Sequence, residues 1–211
     1  MMTAGLRRFA LTTHITSSVG WLGSVAAFLA LSIAGLSSLD TQIVRGAYVG
    51  MHLITWYVIV PLCLASLFTG LIESLGTQWG LFRHYWVGIK LLLTVLATLI
   101  LLVHTQPIDA VAAVAARGDL SAFDLGQVRL QLVGDASAAL FVLVVTTTLS
   151  VYKPWGLTPY GLRAQAAETA GGRSVVFRPG NVGRYVVIGI IAFVLVVALL
   201  HLAGIGMHGH Q

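Results

Sequence analysis

Long apolar stretches separated by short polar ones dominate the chain, and the run from His84 to His104 is the clearest of them. Apart from Lys90, Thr94, Thr98 and the terminal histidines it is apolar or aromatic throughout. At ~1.5 Å per residue its length is about 30 Å, the thickness of a bilayer's hydrocarbon core. The pattern predicts a transmembrane helix over about 84–105, and four further stretches predict helices over about 9–36, 47–72, 128–152 and 185–204. The expected fold is all-α: a polytopic bundle of five transmembrane helices in which residues 1–211 form one transmembrane domain.

Details of the pattern refine each element. The first half of helix one is polar, with Thr12, Thr13, His14, Thr16, Ser17 and Ser18 ahead of Gly20, Trp21, Leu22 and Gly23. Lipid does not tolerate such a face, so it is expected to point into the bundle, with the small residues permitting close helix approach. Asp40 and Arg45 lie in a short loop. Pro61 is expected to kink helix two, and Pro107 to end helix three, leaving Ile108–Ala116 as a surface helix. Residues 153–184 read as an irregular basic loop, with Arg163, Arg173, Arg178 and Arg184 against Glu168, lying on anionic headgroups. Lysine and arginine gather at the N-terminus, the second loop and this long loop, which predicts the N-terminus inside and the C-terminus outside. The N-terminal run imitates a signal peptide but reads as an uncleaved first helix.

Composition agrees. Of 211 residues, 57% are hydrophobic and 9% charged, and the mean hydropathy is +0.91; an ordinary soluble domain has about 25% charged residues. The net charge of +5 follows membrane topology, and no nucleic-acid motif accompanies it, so no nucleic-acid partner is expected. One cysteine, Cys63, allows no internal disulfide and reads as packing. No phosphate loop, nucleophile elbow, zinc-hydrolase motif or dinucleotide fingerprint is present.

The candidate chemistry lies in ionisable residues inside the spans, where each is costly without a partner. Sorted by depth, His52, His104, His201 and Asp135 fall near the outer face on four helices, and His14 and His84 near the inner face with Glu73 close by. Two imidazoles from different helices at one depth, with apolar walls, suit haem b, and a polar group suits its propionates. His14, His52, His84, His104 and His201 are therefore candidate haem ligands, and Lys90 and Asp135 candidate propionate or proton groups. Interfacial anchoring is the plainer reading of each histidine and stays open. His201, Met207, His208 and His210 form a second candidate set, for copper.

His14, followed seven positions later by Trp21 and then Leu22 and Gly23, resembles the first helix of the copper-resistance D family and of the membrane-bound, haem-binding bacterial protoporphyrinogen oxidases. Lys90 before Leu91, Leu92 and Leu93, with His104 further on, looks like a later helix of the same group, and Leu67–Leu71 fits its looser helix-two pattern. The whole chain is similar to multi-pass membrane proteins of actinobacteria grouped near these families. The resemblance implies a haem-ligand or metal-site role for His14 and a substrate or propionate role for Lys90. The expected function is a haem b-binding redox protein of a bacterial plasma membrane, passing electrons between a quinol or similar donor and an acceptor. Copper or small-solute handling, and a non-catalytic membrane subunit, are the alternatives; an oligomer is compatible with the small residues of helix one.

Overall fold

The computed structural model describes residues 3–76, 84–117, 125–152, 156–159, 161–163 and 166. Among them the chain is helical: α1 (Ala4–Ser37), α2 (Thr41–Ile54), a π-turn (Thr55–Ile59), α3 (Val60–Gly76), α4 (Tyr85–Arg117) and α5 (Leu125–Tyr152). With α2, the π-turn and α3 forming one continuous rod, four helices are long and apolar enough to cross a membrane. The expected fifth helix, 185–204, and most of the basic loop lie outside the described residues.

Capping explains why the helices start earlier than the apolar pattern suggests. The Thr3 hydroxyl accepts a hydrogen bond from the Leu6 N–H, and α1 starts at Ala4 rather than 9. The Asp40 carboxylate accepts from the Gln42 N–H at 2.8 Å, so the residue expected in a loop is the cap that starts α2 at Thr41 rather than 47. From there Val44, Ala47, Tyr48 and Met51 are buried at helical spacing.

The two prolines act differently from the expectation. Pro61 lacks an N–H, and its ring crowds the carbonyl four residues back. A π-turn stands just before it, where the kink was expected, closed by the Val60 N–H on the Thr55 carbonyl. Pro107 does not end the third span: α4 continues through it to Arg117. Ile108, Val111, Ala112 and Ala115 are all buried, a stripe at i, i+3, i+4 and i+7. Segment 108–116 is therefore a packed part of α4 and not a surface helix, because α2 receives that stripe. The Arg45 guanidinium secures the end by donating to the Ala116 carbonyl at 2.8 Å.

α1 runs against α2, α3 and α5, and α4 closes the bundle on α2, α3 and α5. Trp21, Phe28, Tyr48, Met51, Cys63, Ile108 and Leu132 belong to one core cluster. Lipid is as apolar as leucine, so close packing and internal hydrogen bonds, more than a hydrophobic force, hold such a bundle. The buried hydroxyls of Ser17, Ser24, Ser32 and Thr98 accordingly donate to carbonyls three or four residues back in their own helices. Large apolar side chains such as Phe9, Val19, Phe68 and Leu130 face outward, as contact with lipid requires. The polar half of α1 is only partly inward: His14 and Ser17 are buried, while Thr12 and Thr16, out of phase with them, face outward.

Candidate functional site

Lys90 and His104 lie fourteen positions apart on α4, within about 40° of each other around the helix and about 21 Å apart along it. Each meets a partner from another helix, and the result is two polar pairs, one towards each end of the bundle.

At the first pair the Lys90 ammonium donates to His14 Nε2 at 3.1 Å. The other ring nitrogen, Nδ1, lies 3.0 Å from the Ser66 carbonyl and 3.1 Å from Thr69 Oγ1. A carbonyl only accepts, so Nδ1 carries the proton and Nε2 presents its lone pair. The Thr69 hydroxyl is itself spent on the Ala65 carbonyl at 2.6 Å, which leaves its oxygen as a second acceptor for the Nδ1 proton. One edge of the ring lies against α3 at Gly70, where a Cβ would stand 3.0 Å from His14 Cε1. Ser18 and Ser66 join their hydroxyls at 2.7 Å beside it. Glu73 on α3 is within electrostatic range of Lys90 and of Arg7. The imidazole is thus a neutral, oriented acceptor held by backbone from behind, the arrangement that fixes a metal-ligating histidine.

At the second pair His104 Nε2 stands 3.2 Å from Asp135 Oδ2, with side-chain exposures of 9% and 26%. His104 Nδ1 donates to the Ile100 carbonyl one turn back at 2.7 Å. His104 and Asp135 form part of the wall of a cavity of about 130 Å³. Its remaining wall is almost wholly apolar, with Trp21 and Phe28 from α1, Ile59 from the π-turn and Ala139 from α5 among its residues.

The other candidates are placed elsewhere. His52 Nδ1 donates to Asp109 Oδ1 at 2.9 Å, and Trp56 Nε1 donates to the same oxygen at 2.9 Å. Asp109 follows His104 by five positions, about 140° around α4, so His52 and His104 address different sides of that helix. They do not form the facing pair that one haem would bridge. His84 stands at the entry to α4, paired with Leu157 in an isolated bridge, its ring 6.2 Å from that of Trp86. It precedes Lys90 by six positions, about 120° away around the helix. His201, Met207, His208 and His210 lie outside the described residues. Among the described residues no three of His, Cys, Asp and Glu gather as a metal site.

Asp109, Ser66 and Thr98 escaped the sequence reading as site residues, and Thr69 entered it only within the Leu67–Leu71 pattern. Asp109 was hidden by breaking the helix at Pro107, since its register with His52 exists only when α4 continues. Thr98 lies 3.1 Å from Cys63 Sγ at the centre of the bundle. Its two-turn spacing from Lys90, with Thr94 midway, was the available signal.

Comparison of the chain with protein-family models, curated proteins and solved structures gives no match.

Proposed function

We propose that the protein is a haem b-binding membrane redox protein in which His14 would hold the iron through its imidazole and Lys90 would supply the cation for a propionate. The observation that supports this most strongly is the 3.1 Å contact between Lys90 Nζ and His14 Nε2. Two residues 76 positions apart, each assigned to the site by the sequence resemblance, meet through the atoms that the roles require. Haem b, when bound, supplies reversible one-electron transfer. The chain's own contribution is orientation: Ser66 and Thr69 hold the Nδ1 proton and direct Nε2 away from α3. Lys90 occupies Nε2 in this structure, so loading requires its ammonium to swing to a carboxylate, and Glu73 or a propionate meets that need. Of the candidate histidines, His14 alone would hold the group on this face, because neither His52 nor His84 shares it. The site's setting is part of the proposal: a bacterial plasma membrane, N-terminus inside, with a fifth helix completing the bundle.

The test is a visible spectrum of the full chain purified in mild detergent after expression with added haem precursor, recorded oxidised and dithionite-reduced. A Soret band that shifts and sharpens on reduction is expected, absent in His14→Ala, displaced in Lys90→Met and retained in His104→Ala. A colourless wild-type sample, or a band lost in His104→Ala and retained in His14→Ala, overturns the assignment.

A further inference from the structure

We infer that the arginines at the end of the bundle where α4 ends and α5 begins form a binding site for the phosphate of an anionic phospholipid, with Arg129 at its centre. Arg45 near the start of α2, Arg117 at the last position of α4 and Arg129 in the second turn of α5 all belong to this end. The carboxylates of the same half are engaged elsewhere: Asp40 holds the Gln42 N–H that it caps, Asp109 pairs with His52, and Asp135 with His104. Among the described residues the ion pairs here are made by histidines, and no carboxylate stands within ion-pair distance of the three arginines. Asp119 and Asp124 lie outside the described residues.

Arg129 is built to hold an anion. Its guanidinium carbon stands 5.9 Å from the centroid of the Tyr48 ring, and that ring is 2% exposed, with its hydroxyl donating to the Gly35 carbonyl. Nε is buried and has no hydrogen-bond partner among the described residues. The two terminal nitrogens make no bond there either, but they are not buried. The side chain is thus held at its root by an aromatic face and offers a free fork, the shape that takes a phosphate through two parallel N–H···O bonds. Arg45 adds charge close by: it precedes Tyr48 by one turn of α2, and its Nη2 donates to the Ala116 carbonyl, beside Arg117. Depth selects a lipid over a soluble anion. Arg129 lies two residues inside the apolar span Gln127–Tyr152, at the level of the headgroups. The next residue, Leu130, is 65% exposed, so an acyl chain has an apolar surface to follow while its phosphate stays at the fork. This inference does not rest on haem at His14, which lies towards the other end of the bundle.

The experiment incubates the full chain in detergent with equal amounts of phosphatidylglycerol and phosphatidylcholine and counts the retained lipid by native mass spectrometry. A preference for phosphatidylglycerol is expected in the wild type, lowered about fivefold in Arg129→Gln, the usual worth of one arginine beside an anionic headgroup, lowered less in Arg45→Gln and unchanged in Arg8→Gln. Arg8, exposed at the start of α1, is the control for net charge. Inorganic phosphate is expected to displace no more lipid than sodium chloride of the same ionic strength. If Arg129→Gln does not yield a monodisperse protein, Arg129→Met takes its place. No preference in the wild type overturns the inference, and that is the result to find if Asp119 or Asp124 already holds the arginines. A preference that survives the loss of Arg129 overturns it too, as does an equal loss in Arg8→Gln, which identifies attraction to net charge alone. Displacement by phosphate beyond the chloride control identifies a site for a soluble anion and overturns the lipid assignment.

Discussion

Gly70→Ala is expected to destabilise the bundle, against the usual direction for a glycine inside a helix. Away from tertiary contacts, replacing a helical glycine by alanine stabilises by ~0.5–1 kcal/mol. At Gly70 the new Cβ would stand 3.0 Å from His14 Cε1 and 3.4 Å from Nδ1, so the ring must move by a few tenths of an ångström or the helices must part. The ring has little freedom to move. Nδ1 is bonded at 3.0 Å to Ser66 on α3 and Nε2 at 3.1 Å to Lys90 on α4, so a retreat from Gly70 stretches the first bond and crowds the second. Each is worth about 1 kcal/mol, more where one partner is charged. Straining both outweighs the gain in propensity, and a net loss of about 1 kcal/mol follows. Gly134 on α5 is the control, since a Cβ there meets nothing within 4 Å; Gly134→Ala is expected to stabilise by ~0.5–1 kcal/mol. Reversible unfolding in mixed micelles of rising SDS fraction, followed by far-UV circular dichroism, measures both. Shifts of opposite sign support the argument. If Gly70→Ala stabilises as much as Gly134→Ala, the imidazole is not clamped as described, and the orientation argued for Nε2 falls with it.

Two further perturbations probe the rest of the bundle. Ala115 is 0% exposed in the part of α4 that passes Pro107, so Ala115→Leu is expected to cost about 1–3 kcal/mol in the same SDS titration; a neutral result would mean that 108–116 lies on the surface after all. Cys63, 1% exposed and 3.1 Å from the Thr98 hydroxyl, is expected to resist a maleimide in the native protein and to react within minutes once SDS unfolds it, read by mass spectrometry; rapid native labelling would contradict the packing of α3 on α4.

Four of the expected spans were legible because their signal is hydropathy summed over some twenty residues, which no single contact can reverse. Their ends were less so. Asp40 reads as a loop residue by polarity, yet its carboxylate is what starts α2; Pro107 reads as a stop, yet a buried stripe beyond it outweighs one missing backbone bond. Depth was legible too, and it correctly set Asp135 level with His104. Rotation was not: the two sides of α4 that His52 and His104 address follow from packing against α2 and α5. Lys90 and His14 were each marked as candidates from their own helices, but their contact depends on how α1 and α4 turn about their axes, which one sequence does not encode locally. Gly70 was read only as one position of the Leu67–Leu71 pattern; its contact with an imidazole was not legible, since a ring resting on a glycine leaves no trace in the glycine's neighbours along the chain.

The π-turn at Thr55–Ile59 bears on descent as well as on shape. A π-turn is an α-turn with one residue inserted, taken up locally, so that residues on both sides keep the faces they had. The contacts on its two flanks, His52 with Asp109 and His14 with Ser66, are therefore indifferent to whether the extra residue is there. A related chain shorter by one residue in this rod is expected to carry its gap inside 55–59 and to preserve both contacts. A gap elsewhere between His52 and Ser66 turns one flank against the other by about 100° and separates them. The turn is thus a place where length can vary within a family while the faces of the helix stay in register.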